Sequence, residues 1–279
     1  MKKPLLGLIG AGIQRSMSPA LHEEEGRHHG LRVHYQLIDL DAAELLPEVM
    51  RAVRVMRFAG VNVTYPYKQA VLPLLDGVSE EAAAIGAVNT VVREGDRLVG
   101  HNTDGSGWSW GFRRALPNAD LTKVVLLGAG GAGSACADAV LRLGAGQLVI
   151  VDRDDSRARS LASRLNGQFK GARASAVPQI DAAMSGASGL IHATPTGMAG
   201  HAGMPLDGAL LRSSMWVSEI VYVPLETELL EAARRAGCAS ADGGHMNVGQ
   251  AIRGFKLFTG LDADAARMDA HFRRLITSA

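Results

Sequence analysis

Short β-branched runs alternate with longer helical patterns along almost the whole chain, and two apolar runs end in glycine turns. Together these predict an α/β protein in which at least one part holds a nucleotide. With 279 residues the chain exceeds what one mixed core usually organises, so two domains are expected. Apolar residues make up 47 % and charged residues 20 %, enough material for sizeable cores. A net charge of +1 gives no field that would draw nucleic acid or an acidic membrane surface.

The first run, "LLGLIG" behind two lysines, has the look of a signal peptide. It breaks at Gly10 and Gly12 without a cleavage site, so it reads as a first buried strand. No apolar run approaches the roughly 18 residues of a membrane span. Further buried strands are expected at 34–39, 59–64, 123–128, 147–152, 189–194 and 215–221, separated by helical patterns such as "AAELLPEVMRAVRVM", "GSACADAVLRLGA", "DSRARSLASRL" and "ETELLEAARRAG". Such alternation favours parallel sheets covered by helices on both faces. Residues 88–102 differ, with two extended runs around "EGD" that form a hairpin.

Glycines and a proline at 104–122, and "DGGHMN" at 242–247, mark two crossings. The expected domains are therefore residues 1–104, a three-layer α/β unit completed by helices from 246–279, and residues 105–245. Cys136 and Cys238 show no metal-ligand spacing, which fits a reduced, cytoplasmic protein. The nine histidines show none either, and "RHHG" reads as a helix end, so no metal is expected.

The two glycine turns are not equivalent. In "LLGAGGAG", Gly128, Gly130 and Gly133 fill all three places of the dinucleotide fingerprint, with Ala129, Gly131 and Ala132 between them. A small-residue helix starts at once, and the next strand ends in an acid, Asp152, at the spacing expected for a ribose contact. That context identifies a Rossmann-type, doubly wound dinucleotide-binding domain. In "LIGAGIQRSMSP", Arg15 stands where the third glycine belongs. Ser18 reads as a helix N-cap with Pro19 the first helical residue, so this turn presents the hydroxyls of Ser16 and Ser18. It suits a small polyol or carboxylate, or is a plain capped turn.

Three more stretches put polar groups near strand ends, where open α/β sheets collect ligands. "GVNVTYPYK" carries Asn62, Thr64 and Lys68; "AIGAVNTVV" carries Asn89; "GHNTDG" puts Asp104 at a strand end before a turn. Each has a bland alternative: Asn62 a turn residue, Lys68 a solvated helix start, Asp104 a cap.

Taken together, "RSMSPALH", "GVNVTYPYKQAV", "IGAVNTVV", "GHNTDGSGW", "GAGGAG", "ATPTGM", "IVYVPLETELL" and "DGGHMNVGQA" resemble the shikimate and quinate/shikimate dehydrogenases in content and order. The resemblance implies interconversion of shikimate and 3-dehydroshikimate, or quinate and 3-dehydroquinate, with a nicotinamide cofactor. By resemblance Lys68 and Asp104 form the acid–base pair. Ser16, Ser18 and Tyr222 would bind the substrate carboxylate, and Thr64, Asn89 and Gln250 the ring hydroxyls. The nicotinamide would lie across the cleft between the domains, near Ile220 and Gly243. The expected partner is a small molecule, and the expected assembly a monomer or homodimer.

Relatives using NADP resemble "NRTxSRA" where this chain has "DRDDSRA"; it keeps Arg153 but places Asp152 and Asp154 beside it. Two carboxylates repel a 2′-phosphate, so NAD is favoured over NADP. His192 and Glu23 replace asparagines common in the resembling motifs, which bears on specificity more than on reaction type. Tyr65 and Tyr67 are extra aromatics that packing alone can explain. Two alternatives differ in class: a ligand sensor without catalysis, which has no use for an intact Lys68–Asp104 pair, and another nicotinamide enzyme on this scaffold, such as a methylene-tetrahydrofolate dehydrogenase.

Overall fold

The structure is a computed structural model describing residues 2–171 and 173–277. The chain divides into two compact units. One contains everything up to Thr103 together with the chain from Val248 onward, and the other is Asp104–Asn247.

The first unit opens with β1 (Leu5–Gly10), α1 (Ser18–His28), β2 (His34–Asp39), α2 (Leu46–Val55) and β3 (Gly60–Val63). It continues through β4 (Gly77–Val78), α3 (Glu80–Ile85), β5 (Thr90–Glu94) and β6 (Arg97–His101). Its sheet runs β2-β1-β3-β5-β6-β4. β1 is parallel to β2 and β3, but β5 is antiparallel to both β3 and β6. The sheet is therefore mixed: the hairpin expected at 88–102 is present, and because the tight turn at Gly95 reverses the chain its two strands join antiparallel. Side chains alternate across β1. Leu6 and Leu8 pack with Val33, Tyr35 and Phe258, whereas Ile9 joins Leu46, Met50 and Val53 under α2.

The second unit contains α4 (Asp104–Ala115), β7 (Lys123–Leu127), α5 (Gly131–Arg142), β8 (Gln147–Val151), α6 (Asp155–Gln168) and β9 (Ala174–Ala176). There follow α7 (Ile180–Met184), β10 (Gly189–His192), β11 (Trp216–Glu219), α8 (Glu228–Arg235) and β12 (Ala239–Ala241). All six strands are parallel in the order β12-β11-β10-β7-β8-β9. Counted from β7 this is the doubly wound order, with its reversal between β7 and β10. Val124 and Leu126 pack with Val140, Leu161 and Leu165 on one face; Val125 and Leu127 pack with Met184, Leu229 and Ala233 on the other. α9 (Gly243–Thr259) begins in this unit and ends in the first, where α10 (Ala265–Thr277) follows.

Two local readings need correction. Ser18 is the first helical residue of α1, and Met17 holds the cap position without a side-chain cap bond; the Ser18 hydroxyl is turned to Ser16 instead. Asp104 does not end a strand before a turn. The chain leaves β6 through Asn102 and Thr103 and enters α4 at Asp104 itself.

Candidate active site

In the first sheet β1 lies between two parallel neighbours, so the loops leaving β1 and β3 emerge at one carboxyl edge. They are fastened together. Ala11 N–H donates to the Tyr65 carbonyl at 3.0 Å, and Thr64 N–H to the Ile9 carbonyl at 2.9 Å. Gly10 is required by this closeness, since a Cβ there would stand 2.3 Å from Thr64 Cγ2. On the β1 loop the Ser16 hydroxyl donates to Ser18 Oγ at 3.2 Å, and Ser18 is buried. Gly12 N–H and the Gln14 amide donate to the two oxygens of Asp39 at 2.7 and 2.8 Å, so that acid closes the first glycine turn.

Beneath these loops lies a buried polar lattice. The Tyr35 hydroxyl donates to Asn62 Oδ1 at 2.7 Å, and Asn62 Nδ2 donates to Thr90 Oγ1 at 3.0 Å. Asn89 Oδ1 accepts from Thr103 N–H at 2.7 Å and from the Thr90 hydroxyl at 3.0 Å, while its Nδ2 donates to Thr103 Oγ1 at 3.0 Å. Buried groups so fully bonded hold one arrangement. Asn62 is thus an interior anchor, not a turn residue. Val88 N–H donates to the Lys68 carbonyl at 2.8 Å, which sets the half-buried lysine beside Asn89. The turn carrying Lys68 is held from the other side by Tyr67, whose hydroxyl donates to the Leu40 carbonyl. Burial, and then Asp41, Glu44 and Asp39, push the Tyr67 phenol up. Tyr65 is exposed. Gln250 is half-buried on α9 in this same unit.

The second unit holds the other expected residues. The three glycines after β7 divide the work. At Gly133 a Cβ would stand 1.9 Å from the Gly128 carbonyl oxygen, so helix α5 can approach its strand only without one. Gly128 has φ +100° and lies against the Ala193 backbone, where a Cβ would come within 2.6 Å of the carbonyl oxygen. At Gly130 a Cβ would meet nothing within 4 Å. This glycine caps α5 without any side-chain cap bond, so backbone donors of Gly131 and Ala132 open the helix beside empty space. Orphan helix donors next to a space that a side chain would fill suit a diphosphate.

Asp152 accepts from Ala129 N–H at 2.7 Å and Asp154 N–H at 2.9 Å, closing this turn much as Asp39 closes the first. The acid therefore does not distinguish the two turns; the third glycine position does. Asp154 caps α6 and pairs with Arg157 at 3.4 Å, and the Ser156 hydroxyl holds its carboxyl below the usual range. Arg153 is exposed. Ile220 and Gly243 come together: a Cβ on Gly243 would lie 2.5 Å from the Ile220 carbonyl oxygen. Tyr222 follows β11, and the buried Asp104 heads α4, both in this unit.

Residues 8–91 match the shikimate dehydrogenase substrate binding domain, and residues 112–197 match the shikimate / quinate 5-dehydrogenase family. The shikimate dehydrogenase (NADP(+)) of Streptomyces avermitilis is 51 % identical, covering 99 % of this chain and 97 % of the relative. The chain belongs to the shikimate dehydrogenase family. A quinate/shikimate dehydrogenase (NAD(+)) of Corynebacterium efficiens is 46 % identical over 97 % of this chain and 98 % of its own. The quinate dehydrogenase from Corynebacterium glutamicum in complex with NAD superposes with a TM-score of 0.91 at 43 % identity, covering 98 % and 100 % of the two chains. The resemblance, the two-domain α/β class and the Rossmann-type unit stated from the sequence are all borne out by these matches.

Within this shikimate dehydrogenase scaffold, sequence reasoning missed the residues that brace the site. Asn62 stood out as a polar residue in a strand, but its links to Tyr35 and Thr90 gave no signal because the three are far apart in sequence. Glu23, noted only as a substitution, accepts from Tyr35 N–H at 2.9 Å and so fastens α1 to β2. His192 and Glu219 form a buried pair at the ends of β10 and β11; a histidine inside an apolar strand was the available clue.

Proposed function

We propose that this protein is a nicotinamide-dependent dehydrogenase of the cytoplasm that interconverts shikimate and 3-dehydroshikimate, or quinate and 3-dehydroquinate. The observation that carries the reading is the fastening of the β1 loop to the β3 loop through Ala11 and Tyr65, since Ser16 and Ser18 stand on the segment after β1 and Thr64 and Lys68 on the segment after β3. Hydroxyls of Ser16, Ser18 and Tyr222 are matched to a carboxylate, while Thr64 and Gln250 can donate to and accept from ring hydroxyls and the amide of Asn89 adds a donor. Lys68 takes the proton of the alcohol during oxidation and returns it during reduction, and Asp104 would be the second member of the acid–base pair. Gly128 to Gly133, Asp152, Arg153, Ile220 and Gly243 would hold the cofactor. When bound, the nicotinamide supplies the acceptor or donor of hydride.

NAD is the favoured cofactor. Asp152 and Asp154 flank the exposed Arg153, and two carboxylates against one guanidinium repel a 2′-phosphate. Relatives named for each cofactor exist, so kinetics must decide. Mixing the protein with shikimate or quinate and either oxidised cofactor should produce reduced-nicotinamide absorbance, faster with NAD. A clear NADP preference overturns the cofactor assignment, and silence with all four combinations overturns the function.

A further inference from the structure

The second unit contains a buried polar line that the proposed chemistry does not use. His192 and Glu219 are the last residues of β10 and β11, side by side in register, with both side chains fully buried. His192 Nδ1 lies 2.8 and 3.0 Å from the two Glu219 oxygens, and its Nε2 lies 2.5 Å from Thr194 Oγ1. Glu219 Oε1 also accepts from Ile220 N–H at 2.8 Å and Val221 N–H at 3.0 Å, and Oε2 from the Thr227 hydroxyl at 3.0 Å. The imidazole thus bridges the Glu219 carboxylate and the Thr194 hydroxyl. Thr194 Oγ1 in turn accepts from Thr196 N–H at 3.3 Å.

Both ends of this line touch backbone already assigned to the cofactor. Ala193, next in chain to His192, supplies the carbonyl against which Gly128 packs, and Gly243 packs on the carbonyls of Ile220 and Val221. The imidazole thus couples the neighbour of the glycine turn to the stretch Ile220–Val221. A buried polar pair seldom stabilises more than apolar residues of its volume would, so its presence at two strand ends argues for fixing position. An asparagine at 192 could still reach Glu219, but it is too short to reach Thr194 as well.

We infer that His192 is a positioning residue: by joining Glu219 to Thr194 it holds the loops after β10 and β11 in the arrangement that orients the nicotinamide end of the dinucleotide. The inference rests on the nicotinamide-dependent reading above. His192→Asn keeps the link to Glu219 and removes the one to Thr194; Thr194→Val removes the same link from its other end. Calorimetric titration with ADP-ribose, which lacks the nicotinamide, and with NAD separates the two halves of the cofactor (the 2′-phosphate forms serve if the wild type prefers NADP). Each variant should bind ADP-ribose within about twofold of wild type, bind NAD about tenfold more weakly, and turn over about tenfold more slowly. The double variant should be no worse than either single one. Unchanged NAD affinity and turnover, or equal losses for NAD and ADP-ribose, would overturn the role. A wild type that binds NAD but oxidises neither substrate would sink the function reading instead, and the two affinities would still judge His192.

Discussion

His22 sits in an aromatic box, stacked on Tyr35 with centroids 5.1 Å apart and packed against Phe255 and Phe258. Burial lowers its pKa from 6.5 to about 4, against a weaker upward pull from Glu25. The unfolded chain takes up this proton near pH 6.5, and the folded one only near pH 4. Between those values the unfolded state binds more protons, so stability present above pH 6.5 is lost as the pH falls toward 4. The loss amounts to about 3 kcal/mol. Urea unfolding at pH 7.0 and 4.5 should show it, and His22→Phe should flatten the slope; an unchanged slope in that variant would acquit His22. Lys68 is weighed by turnover instead. Its backbone carbonyl accepts from Val88 N–H whatever the side chain. Lys68→Ala should lower turnover about 10²- to 10⁴-fold in protein whose melting curve shows it folded. Near-normal turnover would remove the lysine from the chemistry.

Among the elements, the β7–α5 junction separates what the fold requires from what a ligand requires. Gly133→Ala drives a methyl into the Gly128 carbonyl across a gap of 1.9 Å, so the helix must move; a stability loss of about 1–3 kcal/mol and failed cofactor binding are expected. Gly130→Ala meets no protein atom within 4 Å. It should cost less than about 1 kcal/mol of stability, the scale of a changed N-cap residue, yet weaken NAD markedly. Equal unfolding midpoints for the two variants would refute this division. The junction was legible from sequence because its glycines obey short-range geometry. So were β7 and β8, whose β-branched runs are buried, while β2 lies where expected but at a sheet edge with only Tyr35 buried, not as a buried strand. The edge strands β9 and β12 were not: each is "ASA", three small residues without alternation or branching, held in place by pairing with a stronger neighbour. The site divides in the same way. Ser16, Thr64 and Asn89 stand in local motifs, whereas the Tyr35–Asn62–Thr90 lattice and the His192–Glu219 pair arise only when distant strands meet.

At the scale of the whole molecule, the first unit is discontinuous, built from both ends of the chain. One ion pair illustrates how the closing helix is fixed. Glu25 of α1 is 1 % exposed and accepts from Arg267 Nε at 2.9 Å, Arg267 Nη2 at 2.7 Å and Asp264 N–H at 2.8 Å. Burial alone would raise its pKa; the Arg267 and Asp264 hydrogen bonds, with the guanidinium charge, outweigh that and hold it below the usual range. Removing the cation leaves a buried carboxylate without its main partner, a far larger penalty than losing a surface pair. Because the Arg267 side chain is itself 30 % exposed, water can recover part of the loss. Arg267→Met should cost about 2–4 kcal/mol in urea unfolding at pH 7. Lys256→Ala, which breaks an exposed pair with Asp262 on the same C-terminal segment, should cost less than about 1 kcal/mol. Adding Glu25→Gln to Arg267→Met should restore much of the loss, since the buried charge is then gone. If Arg267→Met proves as mild as Lys256→Ala, the closing helix is held by its apolar face, with Met268 and Phe272 in the core, and the ion pair only marks its register.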